Sequence, residues 1–407
     1  MNRLAVLTDL LDPLRRLAKT ALREPVRRVH AVAHWTRAQG LQHEPKAGPH
    51  AAVPTGFPLA WRRLRPPRRT TGRERRWLDP KRGLLKRAER IIDRFAARYV
   101  LPHLLGVWHP YCWLLPRRFS LAVATVAAPL WPDTVDSLRV LLLSDIHTGP
   151  FLHPEVLGPI LEELMRLQPD VVAVTGDIVE GRVEDLDGFL PVLAVLAGAP
   201  LGAWYCLGNH DHFTGEPNRI RDRLASIHIE TLCNESRVLR GDRGEFVIGG
   251  IDDRTLGTPD WERLTAAYGP PHLLLAHNPD DFYEAERRGV ALMLSGHTHG
   301  GQIRFPTGPP IVRQSYFCLD EGLYLHGSTV LAVTRGLGAV GLPWRIGANP
   351  EAVLLHIRAV PSRFNEGMIA KEETSLYEAG PTRRWLKVKQ RGWTDTADGW
   401  RRISARA

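Results

Sequence analysis

Long apolar segments, cysteine motifs and internal repeats are all missing from this 407-residue chain. No stretch approaches the roughly 18 apolar residues that a membrane-spanning helix needs, so we predict no transmembrane helix. Met1–Pro25 lacks the apolar core of a secretory signal. The four cysteines, Cys112, Cys206, Cys233 and Cys318, have no motif spacing, which predicts no disulfide framework and suits a reducing cytoplasm.

Charge is distributed unevenly, although the whole chain has a formal net charge of +10. Residues 1–117 hold 25 Lys and Arg against 8 Asp and Glu (net +17), residues 118–379 hold 21 against 34 (net −13), and residues 380–407 hold 8 against 2 (net +6). Nucleic-acid grooves are usually basic, so the acidic centre argues against a nucleic-acid substrate without excluding one. The basic flanks predict contact with an anionic surface, either a membrane or RNA.

We therefore divide the chain into a basic N-terminal extension (1–117), a central domain (118–360) and a basic C-terminal tail (361–407). Residues 45–83 are rich in Pro, Gly and Arg and predict a linker or a disordered segment. Leu84–Leu105 has an apolar stripe at helical spacing with a basic opposite face.

An aromatic cluster, Val107–Pro116, follows that predicted helix. A basic amphipathic helix followed by such a cluster is typical of a segment that lies on a membrane. Docking of the helix on the central domain is an equally good interpretation. The membrane interpretation predicts a cytoplasmic protein, peripheral on the inner face of the membrane; the sequence does not specify the oligomeric state.

Five apolar runs in the central region are each followed by a polar block. The runs predict buried strands and are Leu138–Leu143, Val171–Val174, Ala203–Leu207, His272–Leu275 and Ala291–Leu294. The blocks are Asp145-Ile146-His147, Gly176-Asp177, Gly208-Asn209-His210-Asp211, Ala276-His277-Asn278 and Gly296-His297-Thr298-His299-Gly300. The Asp145–His147 and Gly176–Asp177 blocks alone are common in loops and turns, and the Gly208–Asp211 and Gly296–Gly300 blocks are rarer but not decisive. Five such blocks in succession at strand exits indicate a metal site.

The residue types in these blocks suit divalent transition-metal ions. Mixed carboxylate, imidazole and amide ligands favour manganese, iron(II) or zinc, whereas calcium and magnesium prefer oxygen ligands alone. Side chains at i and i+2 of an extended segment point the same way. Asp145 and His147 are therefore expected to face one ion together, and so are His297 and His299. We predict a site for two metal ions, with manganese favoured.

Helical and strand patterns alternate around the blocks. Helices are predicted at Pro154–Leu167, Asn218–Ile227 and Pro279–Arg288, and β-rich segments at Glu245–Ile251, Leu323–Thr334 and Val353–Ile357. The predicted fold is an α/β sandwich of two mixed β-sheets flanked by helices, with the ligands at the carboxyl ends of strands.

The order and spacing of the blocks resemble those of the calcineurin-like metallophosphoesterases, over roughly Phe119 to Ile357. The extended block Gly296–Arg304 and the later motifs Thr334–Gly338 and Leu342–Arg345 are similar to those of small bacterial membrane-associated phosphoesterases. Those bacterial enzymes include hydrolases of UDP-2,3-diacylglucosamine, which act in lipid A synthesis. The resemblance implies the sandwich fold and metal-dependent hydrolysis of a phosphoric ester.

The resemblance also implies a role for each ligand type. One ion would be bound by Asp145, His147 and His299, a second by Asn209, His277 and His297, and Asp177 would bridge the two.

His210 would then protonate the leaving oxygen or stabilise the transition state as a cation. A carboxylate should orient His210, and Glu180 stands where the family often has aspartate. Arg182 and Arg304 are candidates for binding substrate phosphate, because a guanidinium matches phosphate geometry; a solvated surface arginine is the alternative for each.

The sequence thus predicts a two-metal phosphoesterase or pyrophosphatase that acts on a lipid-linked or nucleotide-sugar substrate at the membrane surface. A nuclease or a cyclic-nucleotide phosphodiesterase is the alternative among enzymes, since metal chemistry alone does not separate these activities. A catalytically degenerate membrane-bound scaffold is the alternative from another class.

Overall fold

The computed structural model describes residues 57–58, 62, 110–149, 151–242, 244–304, 310–311, 313–359, 368–371 and 385–388. The predicted helix at Leu84–Leu105, the segment Met1–Pro25 and nearly all of the predicted linker lie outside these residues, as does most of the C-terminal tail.

Fifteen strands are present in the described part of the chain. They are β1 (Phe57–Pro58), β2 (Ser120–Val126), β3 (Leu138–Leu143), β4 (Val171–Thr175), β5 (Ala203–Cys206), β6 (Ile229–Thr231), β7 (Glu235–Gly241), β8 (Gly244–Gly250), β9 (Leu273–Leu275), β10 (Leu292–Ser295), β11 (Gly322–His326), β12 (Thr329–Val333), β13 (Glu351–Ile357), β14 (Met368–Lys371) and β15 (Trp385–Val388). The five strands predicted before the polar blocks are all confirmed, within one residue at either end.

Two sheets form the sandwich. The first has seven strands in the order β1-β2-β13-β3-β4-β5-β6, and the second has six in the order β11-β12-β10-β9-β8-β7. Both are mixed, because β13 runs antiparallel to β3, and β11 and β7 run antiparallel to their neighbours in the second sheet. The predicted fold class is therefore confirmed. Strands β14 and β15 pair antiparallel with each other.

Helices pack against the two sheets. They are α1 (Pro110–Arg118), α2 (Pro154–Met165), α3 (Leu190–Leu193), α4 (Asn209–Phe213), α5 (Pro217–Ala225), α6 (Trp261–Thr265) and α7 (Phe282–Arg287), with 3₁₀ turns at Val183–Phe189, Ala194–Gly198, Pro279–Asp281 and His299–Gly301. The short α4 follows β5 at the edge that carries the polar blocks. Among the described residues no helix has both the length and the apolar content needed to cross a bilayer. All four cysteines are free thiols.

Strand β3 shows why the central strands are apolar on both faces. Leu141 and Leu143 pack against the helices of the first sheet, and Val140 and Leu142 pack into the layer between the two sheets. A strand buried on both faces needs a continuous apolar run rather than an alternating one. The core therefore holds the strands rigidly and leaves their ends to carry polar side chains.

Helix α1 begins eight residues before the domain boundary drawn from the charge distribution. Tyr111 and Leu115 of α1 are fully buried in the core under the first sheet, whereas Trp113 is 58% exposed. The Tyr111 hydroxyl donates to the carbonyl oxygens of Leu337 and Gly338. The predicted aromatic cluster is thus divided: one ring anchors the helix and one faces solvent.

Candidate metal centre

The polar blocks meet at one edge of the sandwich. Strands β3, β4 and β5 run parallel in the first sheet, and β9 and β10 run parallel in the second, so their carboxyl ends lie at the same edge. Backbone bonds join the blocks directly: the amide of Asp145 donates to Gly176 at 3.0 Å, and the amide of Gly296 donates to His277 at 3.1 Å.

The first group of side chains comprises Asp145, His147 and His299, all buried. Nε2 of His147 lies 3.1 Å from Nε2 of His299. Oδ1 of Asp145 lies 3.4 Å from Nε2 of His299 and 3.9 Å from Nε2 of His147. Three ligand atoms thus converge on one small volume, as the predicted first metal site requires.

The second group comprises Asp177, His277 and His297, with Asn209 beside them. Nε2 of His277 lies 3.1 Å from Oδ2 of Asp177, 3.1 Å from Nδ1 of His297 and 3.2 Å from Oδ1 of Asn209. Oδ2 of Asp177 is also 3.8 Å from Nε2 of His147 in the first group. Asp177 therefore lies between the two groups, and all seven predicted ligands are brought together.

The backbone places these side chains in a way that strand periodicity does not describe. Asp145, His147, Asp177, His297 and His299 all have left-handed φ values, between 49° and 67°. The expectation that His297 and His299 share one ion is wrong on geometry, because His299 lies with Asp145 and His297 lies with Asp177. Extended residues at i and i+2 share a face, but consecutive left-handed turns redirect each side chain separately.

Glu180 contacts His147 of the first group and the neighbouring His210. Its Oε2 lies 2.7 Å from Nδ1 of His147 and 3.6 Å from Nδ1 of His210. Nδ1 of His210 is 2.7 Å from the backbone carbonyl of Glu180 instead. Glu180 therefore orients His210 mainly through its backbone, while its carboxylate faces His147, and Oε1 accepts from the amide of Gly341 at 3.2 Å.

Asp211 fixes the loop that carries Asp177. Its carboxylate accepts from the backbone amides of Gly208 at 2.7 Å, Asp177 at 3.0 Å and Ile178 at 3.1 Å, and from the Tyr205 hydroxyl. A Cβ atom on Gly208 would collide with the Asp177 carboxylate, so only glycine fits there. The Asp211 role was not predicted, although the residue stands in the Gly208–Asp211 block.

Arg345 is a second supporting residue that the sequence reasoning missed. It is 6% exposed and donates to the Gly338 carbonyl at 2.7 Å, and its Nη2 lies 2.9 Å from Nδ1 of His299. Its signal was the Leu342–Arg345 motif, which carried the resemblance but no assigned role.

The two predicted phosphate-binding arginines each lie against a carboxylate. Nε of Arg182 is 3.8 Å from Asp185, and Nη1 of Arg304 is 2.7 Å from Glu321. Their role in binding substrate stays a prediction.

The electrostatics of the centre suit cations. Burial raises the pKa of Asp145, and the nearby Asp177 raises it further. Burial lowers the pKa of His277, but the carboxylates of Asp177, Asp145 and Asp253 together raise it to about 10. Burial and the Arg345 guanidinium hold the pKa of His299 well below its usual value, which keeps its lone pair available. Buried carboxylates together with convergent imidazole nitrogens fit divalent metal ions.

A two-sheet α/β sandwich with Asp, His and Asn side chains gathered at its strand ends defines a metal-dependent hydrolase of phosphoric esters. The chain belongs to the calcineurin-like phosphoesterase family, whose sequence profile matches residues 138–301.

Relatives agree with this membership. The metallophosphoesterase YkuE of Bacillus subtilis is 30% identical over 253 residues, which cover 61% of this chain and 88% of YkuE. The phosphodiesterase YaeI of Escherichia coli is 32% identical over 274 residues, which cover 66% of this chain and 98% of YaeI. A zebrafish transmembrane protein with a metallophosphoesterase domain is 35% identical, over 54% of this chain and 53% of that longer protein.

A solved structure, the 5′-nucleotidase precursor of Thermus thermophilus, is 12% identical with a TM-score of 0.35, covering 55% of each chain. Neither YkuE nor YaeI is named for UDP-2,3-diacylglucosamine, so that finer resemblance stays a prediction.

Proposed function

We propose that this chain hydrolyses a phosphodiester or pyrophosphate bond with two divalent metal ions, manganese favoured. The observation that carries the proposal is the pair of adjacent three-residue groups, in each of which the ligand atoms lie within 4.8 Å of one another. Asp177 faces both groups and is the proposed bridge. Two such ions would activate a water molecule and neutralise charge that develops on the phosphoryl group.

The chain's own residues supply the remaining chemistry. His210 is buried beside Asn209 at the start of α4, and its ring contacts His147 and Phe213 edge-on with centroids 4.8 Å apart. Because the Glu180 carbonyl occupies Nδ1, Nε2 is the atom that would deliver a proton to the leaving oxygen. Asp211 and Arg345 hold the loops that present Asp177 and His299.

The proposed substrate is a lipid-linked or nucleotide-sugar phosphoester, met at the membrane surface by a peripheral protein on the cytoplasmic face. Three observations support this context: the +17 N-terminal extension, the exposed Trp113 on α1, and relatives named as transmembrane proteins. The name of YaeI supports a diester over a monoester. We keep the division into extension, catalytic domain and tail, with α1 packed on the catalytic domain.

A substrate panel tests the proposal. Purified protein with Mn²⁺ is assayed on p-nitrophenyl phosphate, bis-(p-nitrophenyl) phosphate, cyclic nucleotides, UDP-sugar lipids and single-stranded DNA, and its metal content is measured by mass spectrometry. We expect close to two ions per chain and turnover of diesters or pyrophosphates. Asp177→Asn should lose metal and at least about 100-fold in rate, because it removes the proposed bridge.

The exposed Asp222→Asn is the matched control, since it makes the same change on the outer face of α5. Normal metal content and rate in Asp177→Asn would refute the two-metal assignment. Turnover of DNA or cyclic nucleotides alone would favour the alternative enzymes, and a metal-loaded but inert protein would favour the scaffold.

A further inference from the structure

Segment 342–346 has an inverted surface pattern. Leu342, Trp344 and Ile346 face solvent with 55%, 42% and 54% of their area exposed, while Pro343 and Arg345 between them are buried. Here the cation points inward to His299 and the three large apolar side chains point outward, the reverse of the usual arrangement in water.

A fourth apolar side chain joins the same surface. The amide of Ile346 donates to Gln302 at 2.9 Å, Ile303 bridges to Ile346, and the amide of Ile311 donates to Ile303 at 3.1 Å. Ile311 is 59% exposed. Seven large hydrophobic side chains are exposed in the described part of the chain, and four of them form this group. We name Ile311, Leu342, Trp344 and Ile346 the apolar rim.

The apolar rim is tied to the metal centre by short contacts. The amide of Gly338 donates to the Asp145 carbonyl at 2.6 Å, and the amide of Gly341 donates to Glu180 Oε1 at 3.2 Å. Arg345, between two rim residues, reaches His299. A molecule that contacts the apolar rim therefore lies beside the loops that carry and support the candidate ligands.

Helix α1 adds aromatic and basic groups at the same edge. Ser120, just after α1, pairs with Glu351, and β13 runs antiparallel to β3, so α1 ends at the edge where β3 delivers Asp145. Arg117 lies 4.4 Å over the ring of the exposed Trp113, and Arg118 follows it. The segment before α1 carries most of the +17 charge.

Exposed Trp, Leu and Ile side chains, at an edge of the sandwich that also carries Arg117 and Arg118 of α1, match the boundary between lipid headgroups and acyl chains. Basic residues nearby are attracted to anionic headgroups. We propose that the apolar rim inserts into the surface of an anionic bilayer, so that the metal centre meets a phosphoester at headgroup level. This inference deepens the proposed function and rests on it for the substrate, but not for the binding.

Sedimentation with vesicles tests the rim in the full-length protein. Leu342→Ser/Trp344→Ser/Ile346→Ser is compared with wild type on phosphatidylcholine vesicles containing phosphatidylglycerol. We expect the triple variant to bind vesicles at least roughly tenfold more weakly than wild type, since apolar burial is lost. The difference should persist at high salt, because apolar burial is not screened as charge is. Tyr268→Ser and Leu130→Ser, exposed apolar positions outside the rim, should bind as wild type does.

Hydrolysis of bis-(p-nitrophenyl) phosphate by the same variants separates the two proposals. The triple variant should keep this soluble activity within about twofold and keep the wild-type circular dichroism spectrum; Trp344→Ser alone replaces it if the triple variant misfolds. Vesicle binding equal to wild type would overturn the inference. The inference would also be overturned if wild type were a dimer and the triple variant a monomer while both bound vesicles equally, because the rim would then be a dimer interface. If wild type hydrolyses no diester, the proposed function fails, while the vesicle comparison still decides the rim.

Discussion

Single residues in the metal centre are held in costly conformations. Non-glycine residues with left-handed φ are uncommon, and each such strained position costs on the order of 1–3 kcal/mol. Asp145 has φ 51°, and its position is maintained by the amide of Gly338, which donates to its carbonyl, and by the amide of His297, which donates to its carboxylate at 3.0 Å. Surrounding bonds thus impose a geometry that the residues would not adopt alone.

His210 offers the sharpest test of a single catalytic role. His210→Ala should lose roughly 10²–10⁴-fold in rate on a substrate with a poor leaving group, the usual range for general acid catalysis. The loss should shrink for p-nitrophenolate, which needs little protonation. Steady-state kinetics on matched alkyl and p-nitrophenyl diesters measures the difference, and metal content should stay constant.

The neighbouring His212→Ala is the control, because His212 pairs with Asp252 at 2.7 Å rather than with Glu180. Equal losses on both leaving groups would favour an electrostatic role for His210. A drop in metal content would make His210 a ligand, because its ring nitrogen lies close to His147 and Asp177.

At the scale of elements, the candidate metal ligands lie at strand ends or in the short helices and turns that follow them. Strands β4, β9 and β10 are fully buried, and β3 and β5 each have a single half-buried residue, so these strands form a rigid base for the loops. Helix α7 packs at the far side of the second sheet, and Asp281 precedes its first residue.

Asp281 should make stability depend on pH. Burial raises the pKa of Asp281 to about 7, although Arg254 at 3.5 Å acts in the opposite direction. The unfolded chain has a pKa of about 3.9 at this group, so between about pH 4 and 7 the folded state binds the extra proton. The contribution of Asp281 to the free energy of unfolding is therefore fully present below about pH 4 and is lost as the pH rises through about 7.

Asp281→Asn removes that loss. The free energy of unfolding of the variant minus that of wild type should be larger at pH 8 than at pH 5 by roughly 1 kcal/mol or more. Urea unfolding of both proteins at both pH values measures this difference. Asp222→Asn, at an exposed site, should show no such pH-dependent difference. A constant difference between Asp281→Asn and wild type across this pH range would contradict the assignment.

At the scale of the whole molecule, we propose that the basic extension binds the membrane surface and that the acidic domain carries out the chemistry. A chain shortened to residues 110–407 keeps α1 and every candidate ligand. It should retain its metals and its rate on bis-(p-nitrophenyl) phosphate. It should bind anionic vesicles more weakly at low salt, since each basic residue near such a surface contributes about 1 kcal/mol.

Vesicle sedimentation at low and high salt checks this, with neutral vesicles as the control. Salt should weaken binding of the full chain more than that of the shortened chain, because the full chain carries the additional basic charge of the extension and that charge is screened. Unchanged binding of the shortened chain at low salt would refute a membrane role for the extension.

The sequence by itself determined the fold class and the residues that gather at the strand ends. Largely apolar runs such as Leu138–Leu143 predict buried strands, and the polar block after each run marks the end of the strand. Those signals are local and therefore readable. The pairing of His299 with Asp145, rather than with His297, was not readable from spacing, because left-handed turns replace the strand period there.

Only the tertiary structure decided which distant residues support the centre. Tyr111 meets Gly338 across 227 positions, and Arg345 meets His299 across 46. The apolar rim likewise depends on which side of segment 342–346 faces the core. Such contacts depend on how sheets and loops pack in space, which the pattern of neighbouring residues in the chain does not encode.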